Sequence, residues 1–160
     1  MKHKLILTQI LFLLFISNQI GIAKSPNDPK QDHNYQTFAK RFQQRQFSKD
    51  AFKEALSTAG LPTEHIDQIF THASRESGNF KSVIFRKQNN AFGMRLPKRR
   101  STTAVAKERG YAIYQTWYDS VYDYWLWYKN KPIKENQTWF SYLKSRNYMH
   151  PGDAKPKKKN

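Results

Sequence analysis

Between Thr63 and Gly78 the chain sets apolar residues at the spacing of one helical face. Ile66, Ile69, Phe70 and Ala73 fall at i, i+3, i+4 and i+7, with polar residues between them. That stripe suits a helix buried along one side and does not suit the period-two alternation of a strand. Thr63 is the predicted N-cap, and Ser77-Gly78 the predicted end. The same reading recurs along the chain. Ser48 precedes Ala51, Phe52, Ala55, Leu56 and Ala59, and Gly60 with Pro62 closes a helix over 49–59. Thr116 and Asp119 form a capping box ahead of Trp117, Val121, Tyr124 and Tyr128. Asn136 is positioned to cap a last helix carrying Trp139, Phe140 and Leu143. Upstream, Tyr35, Phe38, Phe42 and Phe47 mark a helix or arm that packs on the domain. Only 92–96 (FGMRL) and 111–115 (YAIYQ) read as strands, joined by a long basic loop that opens at Pro97. The pattern predicts one α+β domain over residues 35–148, mainly helical, with a small β-hairpin.

The two ends differ from this middle. Lys2 and Lys4, the apolar run Leu5 to Ile16 and the small residues of Gly21-Ile22-Ala23 make a secretory signal over 1–23, with cleavage expected after Ala23. An uncleaved anchor is the competing reading, but the run is short against the roughly 20 residues a spanning helix requires. Residues 24–34 read as a polar linker and 149–160 as a basic disordered tail. There is no cysteine, so disulfides and cysteine-based metal or nucleophile motifs are excluded. The five histidines show no metal spacing, and neither a metal nor another cofactor is expected. The formal charge is +16; the first 23 residues hold two lysines and no acid, so +14 remains after their removal. A basic exported chain is drawn to anionic envelope polymers. The same charge on an intracellular chain would favour nucleic acid, which the signal makes the weakest reading here. A periplasmic or extracellular monomer is expected.

Glu76 stands three residues beyond Ala73, at the border of the apolar stripe and in the last helical turn. Partial desolvation and the negative end of a helix dipole both favour the protonated form of a carboxyl. That is the form a general acid needs. By itself such a residue is more often an ordinary surface glutamate.

The surroundings add to this. The stretch HASRESGNFKSVIFRKQNNAFGMR (residues 72–95), with Ala73, Glu76-Ser77-Gly78, Phe80, Ser82 and Asn89-Asn90-Ala91-Phe92-Gly93-Met94, resembles the glucosaminidase family of wall hydrolases, within the lysozyme-like superfamily. A second block, Tyr111-Ala112-Ile113-Tyr114 with Trp117, Ser120-Val121 and Asp123-Tyr124, and a weaker third, residues 142–148, follow in the family's order. The chain departs from that pattern after Tyr148, where it runs directly into the lysine-rich tail. The resemblance implies a lysozyme-like fold and a peptidoglycan glycan strand as substrate. It also implies that Glu76 protonates the bond between N-acetylglucosamine and N-acetylmuramic acid.

Such a reaction must also stabilise an oxocarbenium-like centre, with a second carboxylate or with the substrate's own N-acetyl group. Of the later acids, Glu108 lies beside the expected hairpin, whereas Asp119 and Asp123 belong to a helix as capping and packing residues. Glu108 is therefore the candidate partner, against the plainer reading of a loop carboxylate paired with Lys107 or Arg109. Asn89, Asn90, Phe92 and Gly93 are expected to line the cleft floor, or to form a tight turn beneath the acid. Tyr111 and Tyr114 are expected near the cleft, where they can stack on a sugar. Lys98, Arg99 and Arg100 read as a solvated loop able to attract anionic stem peptides. An endo-β-N-acetylglucosaminidase is the leading reading. A lytic transglycosylase and a non-catalytic peptidoglycan-binding module are the alternatives.

Overall fold

A computed structural model describes residues 28–148. The expected signal over 1–23, the first part of the linker and the basic tail from 149 lie outside the described residues. Six α-helices and one two-stranded antiparallel sheet occur within them: α1 (His33–Phe42), α2 (Lys49–Thr58), α3 (Ile66–Glu76), α4 (Val83–Gln88), β1 (Ala106–Glu108), β2 (Tyr111–Ile113), α5 (Trp117–Lys129) and α6 (Trp139–Ser145). The architecture is α+β and mainly helical.

Helix α5 is the hub. Its capping box is complete: Thr116 Oγ1 accepts from Asp119 N, and the Asp119 carboxylate accepts from Thr116 N. Val121 and Tyr124 are fully buried, and α1, α2 and the Phe92 segment pack around them. Phe92 and Tyr124 stack face to face, with centroids 3.8 Å apart and planes 9° apart. Phe42, Phe52 and Leu56 complete the centre at zero exposure. Large rings dominate this core because each buries 150–250 Å², which suits a short chain with no disulfide.

Four local expectations are corrected. Residues 28–34, read as linker, are ordered. Pro29–Gln31 forms a 3-10 turn capped by Asp28, and Asp32 caps α1. The Tyr35 hydroxyl and Lys30 Nζ both reach the buried Asp119, so the arm is clasped to the hub. Thr63 does not cap α3; it opens a 3-10 turn, Thr63–His65, that leads into the helix. Thr138, not Asn136, caps α6, and Asn136 adopts φ +60°. The hairpin is tighter than expected. Its turn is Arg109-Gly110 with both φ values positive (51° and 86°), the geometry that matches the twist of paired strands. Residues 92–96 join from the other side of β2 through one bridge, Arg95 to Tyr111.

Candidate active site

Helix α3 ends at Glu76. Ser77 Oγ donates to Ala73 O (2.7 Å) and accepts from Phe80 N (3.0 Å), so the residue after Glu76 pins the turn that stops the helix. Gly78, Asn79 and Phe80 then take left-handed φ values of 56°, 56° and 62°. A buried phenylalanine in that region is uncommon. It is held by Phe47 and Phe52, whose rings lie 4.9 and 5.2 Å from it. The turn fixes the direction in which Glu76 leaves the helix.

Glu76 is part-exposed, with 28% of its side chain accessible. Oε2 lies 3.1 Å from the point where a Cβ on Gly93 would stand. Oε1 lies 3.6 Å from His72 Nε2, one helical turn back. The acid opens on a groove of about 370 Å³ between α3 and α6. Thr71, His72 and Arg75 flank it on one side, and Trp139, Phe140 and Leu143 on the other. Phe140, 46% exposed, offers an apolar face there.

The loop opposite the acid is built by its asparagines. Asn89 ends α4 at φ 52° and donates to the carbonyls of Tyr114 and Gln115. Asn90 is fully buried; its amide donates to Met94 O and Ala112 O and accepts from Met94 N. These amides are committed to backbone, so of the two expected roles the tight turn is the one seen. The cleft-lining role is corrected for Asn90, which no sugar can reach. The same correction applies to Phe92, fully buried against Tyr124, and to Tyr114, 2% exposed with its hydroxyl donating to Asp123 Oδ2. Gly93 of that set stands beside the Glu76 carboxyl.

Tyr111 is half-buried on β2, with the Arg95 guanidinium 5.6 Å over its ring. Glu108 pairs with Tyr111 from the far side, so Arg95, Tyr111 and Glu108 form one cross-strand row. Neither Lys107 nor Arg109 bonds Glu108. Its Oε2 accepts from Gln88 Nε2 at 2.9 Å, which places it on a strand and against α4 rather than in a free loop. Arg100 is a further correction. It is not solvated but reaches the fully buried Asp123 through two bonds of 2.7 and 2.9 Å.

Two residues near Glu76 were not singled out in the sequence. His72 falls on the apolar face of α3, where a lone histidine resembles a core residue. Tyr148 donates to Phe92 O at 2.8 Å, and burial with the nearby Glu76 holds its phenol well above the ordinary range. Among the described residues no cluster of three or more His, Asp or Glu side chains comes together as a metal site.

A family profile described as mannosyl-glycoprotein endo-beta-N-acetylglucosaminidase (Glucosaminidase) matches residues 49–157. No curated protein and no solved structure matches the chain. The profile spans both the acid helix and the Asn89–Met94 loop that faces it, and the chain belongs to the glucosaminidase family, a lysozyme-like family of peptidoglycan hydrolases.

Proposed function

We propose that this chain is an exported endo-β-N-acetylglucosaminidase that cleaves peptidoglycan glycan strands with Glu76 as general acid. The supporting observation is the placement of Glu76: its carboxyl faces the backbone at Gly93 and opens on the α3–α6 groove. Glu76 delivers its proton to the glycosidic oxygen as the bond breaks. Glu108 is engaged by Gln88 on α4, which favours the substrate's N-acetyl group as the internal nucleophile. Phe140 supplies an apolar platform for a sugar face, and Arg75 a cation for the acidic stem peptide. Export rests on the segment 1–23, and the high positive charge draws the monomer to anionic envelope polymers.

The test is mass spectrometry of muropeptides released from purified sacculi. New reducing-end N-acetylglucosamine is expected. Anhydro-muramic ends would reassign the chain as a lytic transglycosylase, and binding without release would reassign it as a wall-binding module. Glu76→Gln keeps the shape and removes the acid. Digestion then falls by at least about 100-fold, the usual scale for a lost general acid, with sacculus binding retained. Near-normal turnover in that variant would overturn the reading.

A further inference from the structure

We infer that His72 is a positioning residue for Glu76: fixed from behind by Tyr124, its imidazole holds Oε1 of the acid, so that Oε2 carries the proton to be delivered. The inference rests on the reading of Glu76 as the acid.

His72 lies one turn before Glu76 on the same face of α3. It is 8% exposed, and the rings of Phe92, Tyr124 and Tyr148 wall it at 6.1, 6.0 and 5.0 Å. Its Nδ1 is 3.3 Å from the Tyr124 hydroxyl. Its Nε2 is buried without a hydrogen-bond partner and points at Glu76 Oε1 from 3.6 Å. A buried ring nitrogen left unpaired is costly. The carboxyl oxygen is the partner within reach.

The tautomer follows from Tyr124. That phenol is fully buried, and burial keeps it protonated. Its O–H needs an acceptor, and His72 Nδ1 is the one it meets. Nδ1 therefore accepts, and the ring proton resides on Nε2, facing Oε1. A carboxyl whose Oε1 accepts this bond carries its own proton on Oε2, the oxygen beside Gly93. During the reaction that proton passes from Oε2 to the bridging glycosidic oxygen. His72 neither gains nor loses one. As charge develops on the carboxylate, the Nε2–H···Oε1 contact becomes charge-assisted and stronger. Catalytic contacts that are long without substrate tighten in the complex, which fits the 3.6 Å separation. The other charged or titratable groups around the pair are Arg75 and Asp67 on α3, Tyr124 on α5 and Tyr148 after α6. Asp67 is already paired with Lys53.

The experiment uses the full chain in two parts. Nitrogen-15 NMR of the wild type reads the tautomer directly, with the His72 signals assigned by their loss in His72→Gln. A neutral Nε2–H form is expected, and an Nδ1–H form would overturn the inference. Kinetics on soluble glycan fragments then compare variants. His72→Phe keeps the packing and removes the donor. Its kcat falls about ten-fold, equivalent to ~1.4 kcal/mol of barrier, with KM little changed. The alkaline limb of its pH profile moves upward, because the carboxylate has lost a bond that favours ionisation. His72→Gln, which returns an N–H near Nε2, recovers part of kcat. A folded His72→Phe with unaltered kcat and pH profile would overturn the inference; if that variant does not fold, the wild-type tautomer decides. Full activity in Glu76→Gln sinks the reading of the acid itself. An inactive Glu76→Gln beside an unaltered His72→Phe sinks only the role of His72.

Discussion

Glu76 Oε2 stands 3.1 Å from where a side chain at Gly93 would begin, and Gly93 holds φ +62°. Both facts call for glycine. Gly93→Ala adds left-handed strain of about 1–2 kcal/mol and puts a methyl against the acid. Thermal unfolding is expected to show only that modest loss. Activity is expected to fall by more than about ten-fold, beyond what ~1.4 kcal/mol of barrier represents. A variant with normal kcat would show that the carboxyl moves aside freely and that Gly93 serves only the turn.

The pair Arg100–Asp123 gives a prediction about stability. Asp123 is fully buried, holds the 97–105 loop to α5 through Arg100 and Thr103 N, and also accepts from the Tyr114 hydroxyl. Desolvation works against the Arg100 charge, but the bonds to Asp123 and its field outweigh it and hold the guanidinium above its usual range. Removing one partner of a buried pair leaves an uncompensated charge, at a cost of about 3–5 kcal/mol. Arg100→Ala is expected to lose that much in urea unfolding. The double variant Arg100→Met with Asp123→Asn, which removes both charges and keeps an acceptor for the Tyr114 hydroxyl or Thr103 N, is expected to regain part of it. A loss below about 1 kcal/mol, the scale of an exposed pair, would show that the loop is solvated after all.

What the sequence made legible follows from the range of each signal. Helices α2 and α5 are written in periodicity and caps, α3 in periodicity alone, and Ser48 and Thr116 bond as their spacing demands. Helix α4 was not legible, because six residues are too few for a period and Val83 is exposed. The hairpin turn was missed because Arg109-Gly110 lacks the Asn or Asp that usually announces two positive φ values. The motif singled out Glu76 and Gly93, which the fold brings together, but a motif does not say which side chains face outward. Asn90 and Phe92 are part of it and are buried. The role of His72 was hidden because only the fold brings Tyr124, 52 residues away, to its Nδ1.

Buried phenols make the fold sensitive to alkali. Burial pushes Tyr122 and Tyr142 up to about 12, and Tyr114 and Tyr124 well above the ordinary value of 10.0. Between pH 10 and 12 the unfolded chain has released protons that the folded chain still holds. Stability is therefore complete below pH 10 and declines as pH rises through that window. Tyrosinate absorbance should rise together with the loss of helical circular dichroism. If most tyrosines titrated reversibly near pH 10 with helix content intact, the burial described here would be wrong.

Glu108 tests how the positive centre is stabilised. Its Oε2 is held by Gln88, and Gln88 is itself 5% exposed, with its carbonyl accepting from Tyr114 N. A carboxylate anchored in this way to α4 braces the hairpin row of Arg95, Tyr111 and Glu108. If a water had to be activated between two carboxylates, they would lie roughly 6.5–9.5 Å apart and the product would be inverted. Assistance by the N-acetyl group instead retains the configuration and leaves Glu108 a structural part. Glu108→Gln is therefore expected to lose at least about ten-fold less activity than Glu76→Gln, a gap of ~1.4 kcal/mol in barrier height. NMR of the first product formed is expected to show the retained anomer. Equal losses from the two substitutions, with an inverted product, would make Glu108 the second catalytic carboxylate and would require the Gln88 bond to break when substrate binds.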